Sequence, residues 1–190
     1  MSLLLLLLGC QDETQNTATT KNPAVEEDAH SCFTADPVLE IGEGAAVFQS
    51  FNEDREAMMV HGPQGGWHIE VALSLENVLQ IMEIEYKIEH LPTGIFVSEN
   101  YYRIAMIMKG ECSGELPGLY GYLTVGELMD GELDTPPELL GGDSLEITIR
   151  VNDCGNAAQA EGICIYEERW IEKKLQVTAV LDPIDMDPEE

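Results

Sequence analysis

Apolar and polar residues alternate with a period of two along much of the chain, and this pattern predicts β-strands. In segment 67–75 every odd position is apolar and the even positions are mainly polar. The same alternation covers segments 82–89, 145–151 and 175–181. Weaker strand patterns cover 38–41, 47–51, 58–60, 95–97, 102–108, 120–125 and 163–165. No segment has the apolar spacing and end signals of an amphipathic helix.

Strands with one apolar and one polar face are typical of antiparallel sheets that pack on one side only. Roughly nine such strands, separated by turn residues, favour a β-sandwich. We therefore predict an all-β domain over residues 31–182, an antiparallel β-sandwich of the immunoglobulin-like type. A closed β-barrel is the alternative architecture.

The chain begins with an apolar run that ends in Gly and Cys, MSLLLLLLGC. Its last four residues, Leu7-Leu8-Gly9-Cys10, resemble the lipobox of bacterial lipoproteins. In that family the signal peptide is cleaved before the Cys, which then carries the lipid, including palmitate. The resemblance implies a signal peptide over residues 1–9 and lipid attachment at Cys10. We expect this signal peptide to be incomplete, because no Lys or Arg precedes the run and the run is shorter than the roughly 7–15 residues expected. A chance apolar N-terminus on a cytoplasmic protein is the competing interpretation.

The segment after the cysteine has the composition of a flexible tether. Residues 11–27 are polar, rich in Thr and Asn, and without periodicity. We predict an anchor and tether over residues 10–30. By the sorting rule of the lipoprotein family, Gln11 after the cysteine implies the outer membrane. At the other end, residues 183–190 form an acidic tail that we expect to be frayed.

The charge of the chain restricts its partners. It contains 36 Asp and Glu against 9 Lys and Arg, a formal net charge of -27. Such a chain repels nucleic acid phosphates, so we expect no nucleic acid partner. It also repels anionic lipid headgroups, so membrane attachment has to depend on the lipid anchor. Divalent cations are attracted in general.

The cysteines predict two disulfides. With Cys10 lipidated, an even number of cysteines remains for an exported protein, and three connectivities exist. We predict the pair Cys154–Cys164, because the segment between them has Gly near both ends and can reverse the chain. Cys32 and Cys112 then connect the start of the domain to a mid-chain loop. No Cys-x-x-Cys pair indicates a zinc ribbon or a thioredoxin-like site.

The segment VHGPQGGWHIEV, residues 60–71, predicts a hairpin with two histidines. A four-residue turn over 63–66 suits its Pro and Gly residues. It places His61 opposite His68 on the outer face, with Cβ atoms about 5 Å apart. Two adjacent imidazoles are copper or zinc ligands, although a third ligand is needed. A five-residue loop would instead bury His61 and expose Val60, and a purely structural hairpin is the competing interpretation.

The same segment is similar to a GPQGGWH stretch of uncharacterised exported bacterial proteins. That resemblance implies membership of a group and no activity.

Two further sets of residues are candidate metal ligands. Met58, Met59, Met106 and Met108, with His61, resemble the ligands of periplasmic copper carriers, although Met at core positions usually serves packing. Acidic residues alternate over 130–134 and suggest an irregular calcium loop. The EF-hand pattern fails there, because Thr135 and Gly141 occupy its Gly and final Glu positions.

No motif identifies an enzyme. The chain lacks G-x-S-x-G and H-E-x-x-H, and its carboxylates are too numerous for a catalytic pair to be singled out. We therefore expect a non-catalytic lipoprotein of the bacterial cell envelope without a cofactor. It would act as a binding or structural module for a protein or glycan partner at the cell surface. The alternatives are an envelope copper or zinc protein that uses the histidine hairpin, and an envelope hydrolase.

Overall fold

The computed structural model describes residues 32–63, 65–128, 135–155 and 170–183, and they form an all-β fold, as predicted. The strands are β1 (Val38–Glu43), β2 (Gln49–Ser50), β3 (Glu56–His61), β4 (Trp67–Glu76), β5 (Ile81–His90), β6 (Ile95–Ala105), β7 (Ile107–Met108), β8 (Ser113–Tyr122), β9 (Ser144–Gly155) and β10 (Trp170–Leu181). One short helix, α1 (Pro136–Leu140), precedes β9. Within these ranges no helix is long and apolar enough to cross a membrane.

The strands belong to one curled sheet that forms a half-barrel. Its order is β2-β1-β4-β3-β10-β9-β5-β6, and β8 pairs with both β4 and β7. All pairs are antiparallel except β3 with β10, which makes the sheet mixed. The curl brings β6 towards the end of β8, where the Thr124 amide donates to the Val97 carbonyl at 2.7 Å. A two-sheet, immunoglobulin-like sandwich is not confirmed.

Alternation along the longest strands produces the core. In β5 the side chains of Ile84, Tyr86 and Ile88 are fully buried, and their partners on β9 are buried too. Burying one such aliphatic side chain contributes about 1.5–3 kcal/mol, so these rows stabilise the fold. The core also includes Leu73 and Leu75 of β4, Leu116 of β8, Leu145, Ile147 and Ile149 of β9, and Val177 and Ala179 of β10.

The opposite side of β5, β6, β9 and β10 carries paired charges. We call it the ladder face; its residues are Glu83, Glu85, Lys87, Glu99, Arg103, Glu146, Arg150, Glu172 and Lys174. Lys87 contacts Glu99 at 3.0 Å, and Arg103 contacts Glu83 at 2.9 Å. Arg150 bridges Glu85 at 3.0 Å and Glu172 at 3.5 Å, and Lys174 contacts Glu146 at 2.6 Å. Each basic group therefore already has a carboxylate partner.

A disulfide fixes the start of the domain. Cys32 and Cys112 are bonded across a sequence separation of 80 residues, which is the pairing expected from the sequence. The chain-entropy estimate for a loop of this length is about 4 kcal/mol. Cys154 is also disulfide-bonded, but Cys164, its predicted partner, lies outside the described residues. The predicted signal peptide, Cys10, the tether and the calcium loop lie outside them as well.

Candidate binding site

The β3–β4 hairpin differs from the predicted one by one residue. His61 pairs with Trp67, and Val60 pairs with His68, so the loop has five residues, 62–66. The predicted four-residue register is therefore wrong. The amide of Gly62 donates to the Gly66 carbonyl at 2.9 Å and closes the longer loop.

Glycine geometry explains the longer loop. Gly65 and Gly66 have φ values of 82° and 91°, a left-handed conformation that strongly favours glycine. The Gly65 amide also donates to the Gly62 carbonyl at 3.0 Å, which places a tight turn inside the loop. Two consecutive left-handed residues let the chain reverse over five positions instead of four.

The observed register separates the two histidines. A shift of one residue moves a side chain to the other face of a sheet, so His61 and His68 point in opposite directions. The His61 ring lies 5.1 Å from the Trp67 ring and remains exposed because it is at the end of β3, beyond the core. His68 is buried. The structure therefore does not bring together the two imidazoles on which the copper or zinc hypothesis depends.

The other metal candidates gain no support from the described residues. No group of three or more His, Cys, Asp or Glu side chains there is arranged to hold a metal ion. Met59 and Met106 are buried in the core, where their side chains pack. Met58 lies on the opposite, exposed side of β3.

Two tyrosines cover His68 instead of a second histidine. On β8, Tyr122 pairs with His68 and Tyr120 pairs with Glu70. The His68 ring lies 4.6 Å from the Tyr120 ring in an edge-on arrangement and 6.2 Å from the Tyr122 ring. The two tyrosine rings are 6.1 Å apart. Three rings thus form one cluster on the outer side of the sheet.

Strand alternation explains why both tyrosines face outwards. Gly121 stands between them and faces the core, where a Cβ atom would lie 2.7 Å from the Tyr86 ring. Only a residue without a side chain fits there, and its neighbours at odd spacing must point the other way. Tyr120 keeps 39% of its surface exposed and Tyr122 keeps 54%.

The rings and the hairpin loop enclose a cavity of about 310 Å³. We call it the aromatic site; its described lining residues are Gly62, Pro63, Gly65, Gly66, His68, Tyr120 and Tyr122. Its volume is at the lower end of the range for small-ligand sites, about 300–1,000 Å³. None of these residues is Lys, Arg, Asp or Glu, although the chain has a net charge of -27. The described lining therefore has no lysine, arginine or carboxylate, and His68, Tyr120 and Tyr122 give it three rings on an acidic protein.

No family model, curated protein or solved structure matches this chain. What the aromatic site can do has to be inferred from its own chemistry.

Side chains of β6 form hydrogen bonds to the backbone of β8, the strand that carries Tyr120 and Tyr122. The Tyr102 hydroxyl donates to the Tyr120 carbonyl, and the Tyr122 amide donates to Asn100 Oδ1 at 3.0 Å. The Ser98 hydroxyl donates to the same Asn100 oxygen at 2.8 Å. Burial, and secondarily the nearby Tyr122, raise the pKa of Tyr102, so its hydroxyl remains a donor. The ring cluster therefore stands on a backbone fixed from both sides.

A second cavity, of about 380 Å³, lies on the same outer side. Its lining includes Glu43, Glu56 and Glu70, together with the apolar side chains of Phe51 and Val60. Burial raises the pKa of Glu70 above its ordinary value. Glu70 is also the cross-strand partner of Tyr120, so this acidic cavity and the aromatic site are neighbours.

A buried histidine that the sequence analysis missed connects two turns. His90 Nε2 lies 3.0 Å from Asp143 Oδ2, and His90 Nδ1 lies 2.9 Å from the Thr93 hydroxyl. That hydroxyl also contacts the His90 carbonyl and the Ile95 amide, within the β5–β6 turn. We interpret these contacts as structural, because they connect this turn to the residue that precedes β9. The sequence did contain an indication that His90 is buried, because His90 occupies the same alternating positions as the apolar residues of β5.

Sequence reasoning also missed the tyrosine pair. Residues 120–125 were assigned to a strand, but no face was assigned to Tyr120 or Tyr122. The signal was available, because both tyrosines occupy one phase of the strand while Leu119, Gly121 and Leu123 occupy the other. The sequence did not show that β8 pairs with β4, the strand that carries His68.

Proposed function

We propose that this protein is a non-catalytic binding module of the bacterial cell envelope, carried on a lipid anchor at Cys10. In this proposal the aromatic site is the surface that binds the ligand. The observation that carries it is the pair of exposed rings, Tyr120 and Tyr122, beside an open glycine loop and a buried histidine. Aromatic rings with polar tips are the side chains that most often carry binding energy at recognition surfaces.

The site is organised before any ligand arrives. Cross-strand pairing fixes both tyrosines on β8, and the contacts from β6 fix the outer edge of that strand. A ligand that binds to rings already in position loses less free energy to side-chain ordering. An exposed ring pair on a backbone held by neighbouring strands is suited to binding, whereas a buried pair would serve only packing.

The binding surface is tested with isolated envelopes from the cells that produce the protein. The full chain with Cys10→Ser, which removes the lipid attachment, is mixed with envelopes and sedimented. We expect the chain to sediment with them, and the added double substitution Tyr120→Ala/Tyr122→Ala to remain in the supernatant. The matched control is Phe96→Ala/Tyr101→Ala, since these two rings are exposed to 49% and 59% on β6. Equal sedimentation of all three proteins would contradict the proposal.

The anchor is tested by growing cells with labelled palmitate. The lipobox resemblance and the polar tether support lipidation, and Gln11 supports the outer membrane. We expect label in the wild-type chain and none in Cys10→Ser at equal protein level. A wild-type chain that stays unlabelled would remove the anchor from the proposal while leaving the binding site intact.

One observation favours a second candidate function, an envelope hydrolase. Glu70 has a raised pKa, and it shares its cavity with Glu43 and Glu56. Two carboxylates with different proton affinities are the usual machinery of glycoside hydrolysis. The test is the release of reducing ends from oligosaccharides by wild type and by Glu70→Gln. No release by wild type excludes this activity, and release that survives Glu70→Gln excludes Glu70 as its acid.

A further inference from the structure

We infer that the ligand of the aromatic site is an uncharged saccharide, an inference that rests on the proposed function. The observations that carry it are the uncharged lining, the two outward rings on one strand, and the bare backbone of the glycine loop. Each of them selects a different property of the ligand.

The lining selects a ligand without charge. The chain has a net charge of -27, so a polyanionic glycan is repelled over the whole surface. No described cation lines the aromatic site to offset that repulsion, and no described carboxylate lines it to attract a cationic ligand. The carboxylates are in the neighbouring cavity with Glu70. An uncharged molecule binds at this site without the electrostatic penalty that a polyanion pays.

The rings select a ligand with flat C–H faces. A pyranose ring presents axial C–H groups on one face and hydroxyl groups around its edge. Tyr120 and Tyr122 offer the complementary arrangement, because each has an apolar ring and a polar hydroxyl tip. Their centroids are 6.1 Å apart on one strand and their planes are inclined by 46°, so two sugar units that each lie over one ring have to be tilted relative to each other.

The loop selects a ligand with many hydroxyl groups. A Cβ atom at Gly65 or Gly66 would meet no atom within 4 Å, so the loop backbone is bare on this side. The Gly62 and Gly66 carbonyls each accept one hydrogen bond within the loop, and each oxygen retains a second lone pair. A sugar hydroxyl can donate to that second lone pair, whereas an apolar ligand makes no use of it.

The experiment uses the full chain with Cys10→Ser and uncharged oligosaccharides of glucose and of N-acetylglucosamine. Binding is measured by calorimetry and by saturation transfer from protein to sugar protons. We expect at least one of these sugars to bind with micromolar to millimolar affinity and to receive saturation at its C–H faces. An oligogalacturonate of the same length serves as the anionic probe, and we expect no binding.

Substitution identifies the site. Tyr120→Ala/Tyr122→Ala is expected to weaken sugar binding by about tenfold or more, since stacking on each ring contributes about 0.5–1.5 kcal/mol. Tyr120→Phe/Tyr122→Phe keeps both rings and should retain most of the affinity. The control Phe96→Ala/Tyr101→Ala should bind like wild type. Sugar binding that is unchanged in the Ala pair would overturn the assignment of the site.

The outcomes separate this inference from the proposed function. Envelope sedimentation that requires the tyrosine pair, without binding of any uncharged sugar at millimolar concentration, overturns the saccharide and leaves the binding module. Equal binding of the anionic oligomer overturns the requirement for an uncharged ligand. If neither envelopes nor sugars depend on Tyr120 and Tyr122, both proposals fail.

Discussion

The ladder face and the aromatic site lie on the same outer side of one curled sheet, yet they offer different chemistry. On the ladder face, Lys87, Arg103, Arg150 and Lys174 each contact a carboxylate, so its charges are already satisfied within the protein. In the aromatic site, two tyrosine rings remain exposed and no described lining residue is charged. The difference shows that an outward position remains a candidate for ligand contact only where its groups are not already held in ion pairs across the strands.

The ion pairs of the ladder face also make it a poor candidate for binding a ligand. An exposed ion pair contributes at most about 1 kcal/mol, and a ligand would have to displace it. Two of its cations lie over aromatic rings, Lys87 over Phe96 and Arg150 over Trp170, which occupies those rings as well. The aromatic site has the opposite arrangement, because the rings of Tyr120 and Tyr122 are partly exposed and no cation lies over them among the described residues.

The largest loss of stability should come from removing a side chain that packs between the two regions. Tyr86 is fully buried between the ladder strand β5 and the tyrosine strand β8, and its hydroxyl donates to the Ile69 carbonyl at 3.2 Å. We expect Tyr86→Ala to reduce the free energy of unfolding by about 3–5 kcal/mol, as for other large aromatic truncations. Urea unfolding followed by circular dichroism measures it.

The control for Tyr86→Ala is Tyr86→Phe. It removes only the hydroxyl hydrogen bond and should cost about 1 kcal/mol. A loss with Tyr86→Phe as large as the loss with Tyr86→Ala would show that the hydroxyl, and not the ring, holds the two regions together.

A smaller change disturbs the aromatic site more than the ladder face. At Gly121 a Cβ atom would clash with the Tyr86 ring at 2.7 Å and with Ile88 at 2.8 Å. We expect Gly121→Val to reduce stability by about 1–3 kcal/mol through overpacking, and to turn Tyr120 and Tyr122. Amide chemical shifts should therefore change most on β8 and β4. Changes that are equally large on β10 would contradict this localisation.

Much of the fold was predictable, because alternation depends only on the local sequence. Segments 82–89 and 145–151 were assigned the faces that the structure gives them, and the Cys32–Cys112 pair was expected. The arrangement of strands was not predictable, because alternation contains no information about neighbours. The parallel pair of β3 with β10 joins residues over a hundred positions apart. Nothing in either segment specifies the other.

The prediction of a histidine pair in the β3–β4 hairpin was wrong for a more local reason. A single residue of loop length decides whether His61 and His68 share a face, and the sequence HGPQGGWH is compatible with either loop. The apolar pattern favoured the shorter loop, since it buries Val60 and Trp67. The structure keeps Trp67 and Ile69 on the core side, as that pattern predicts, but places Met59 in the core in place of Met58 and Val60. His68 then faces a strand that lies about fifty residues further along the chain.

A smaller effect on stability is expected from an ion pair of the ladder face. Lys87 contacts Glu99 at 3.0 Å, and both side chains are well exposed to solvent. A double-mutant cycle with Lys87→Ala and Glu99→Ala should give a coupling of about 0.2–1 kcal/mol that decreases with added salt. Neither substitution should change the affinity of the aromatic site. Weaker ligand binding in Lys87→Ala would show that the ladder face is not independent of it.

The smallest effect concerns Glu70, the carboxylate between the two outer cavities. Because burial raises its pKa, the folded state binds a proton more tightly than the unfolded state. Stability therefore decreases as pH rises from the ordinary value of 4.5 through the raised value, and the penalty persists at neutral pH. Glu70→Gln should remove this penalty and stabilise the neutral-pH protein by less than about 1 kcal/mol, since the group is largely solvated.

The gain from Glu70→Gln should disappear below pH 4.5, where the carboxyl is protonated in both states. Urea unfolding of both proteins across this range measures it. A gain that is equal at every pH would indicate a packing effect instead of relief of a buried charge. It would also weaken the hydrolase candidate, because that mechanism needs Glu70 to retain its proton where an exposed carboxyl has lost it.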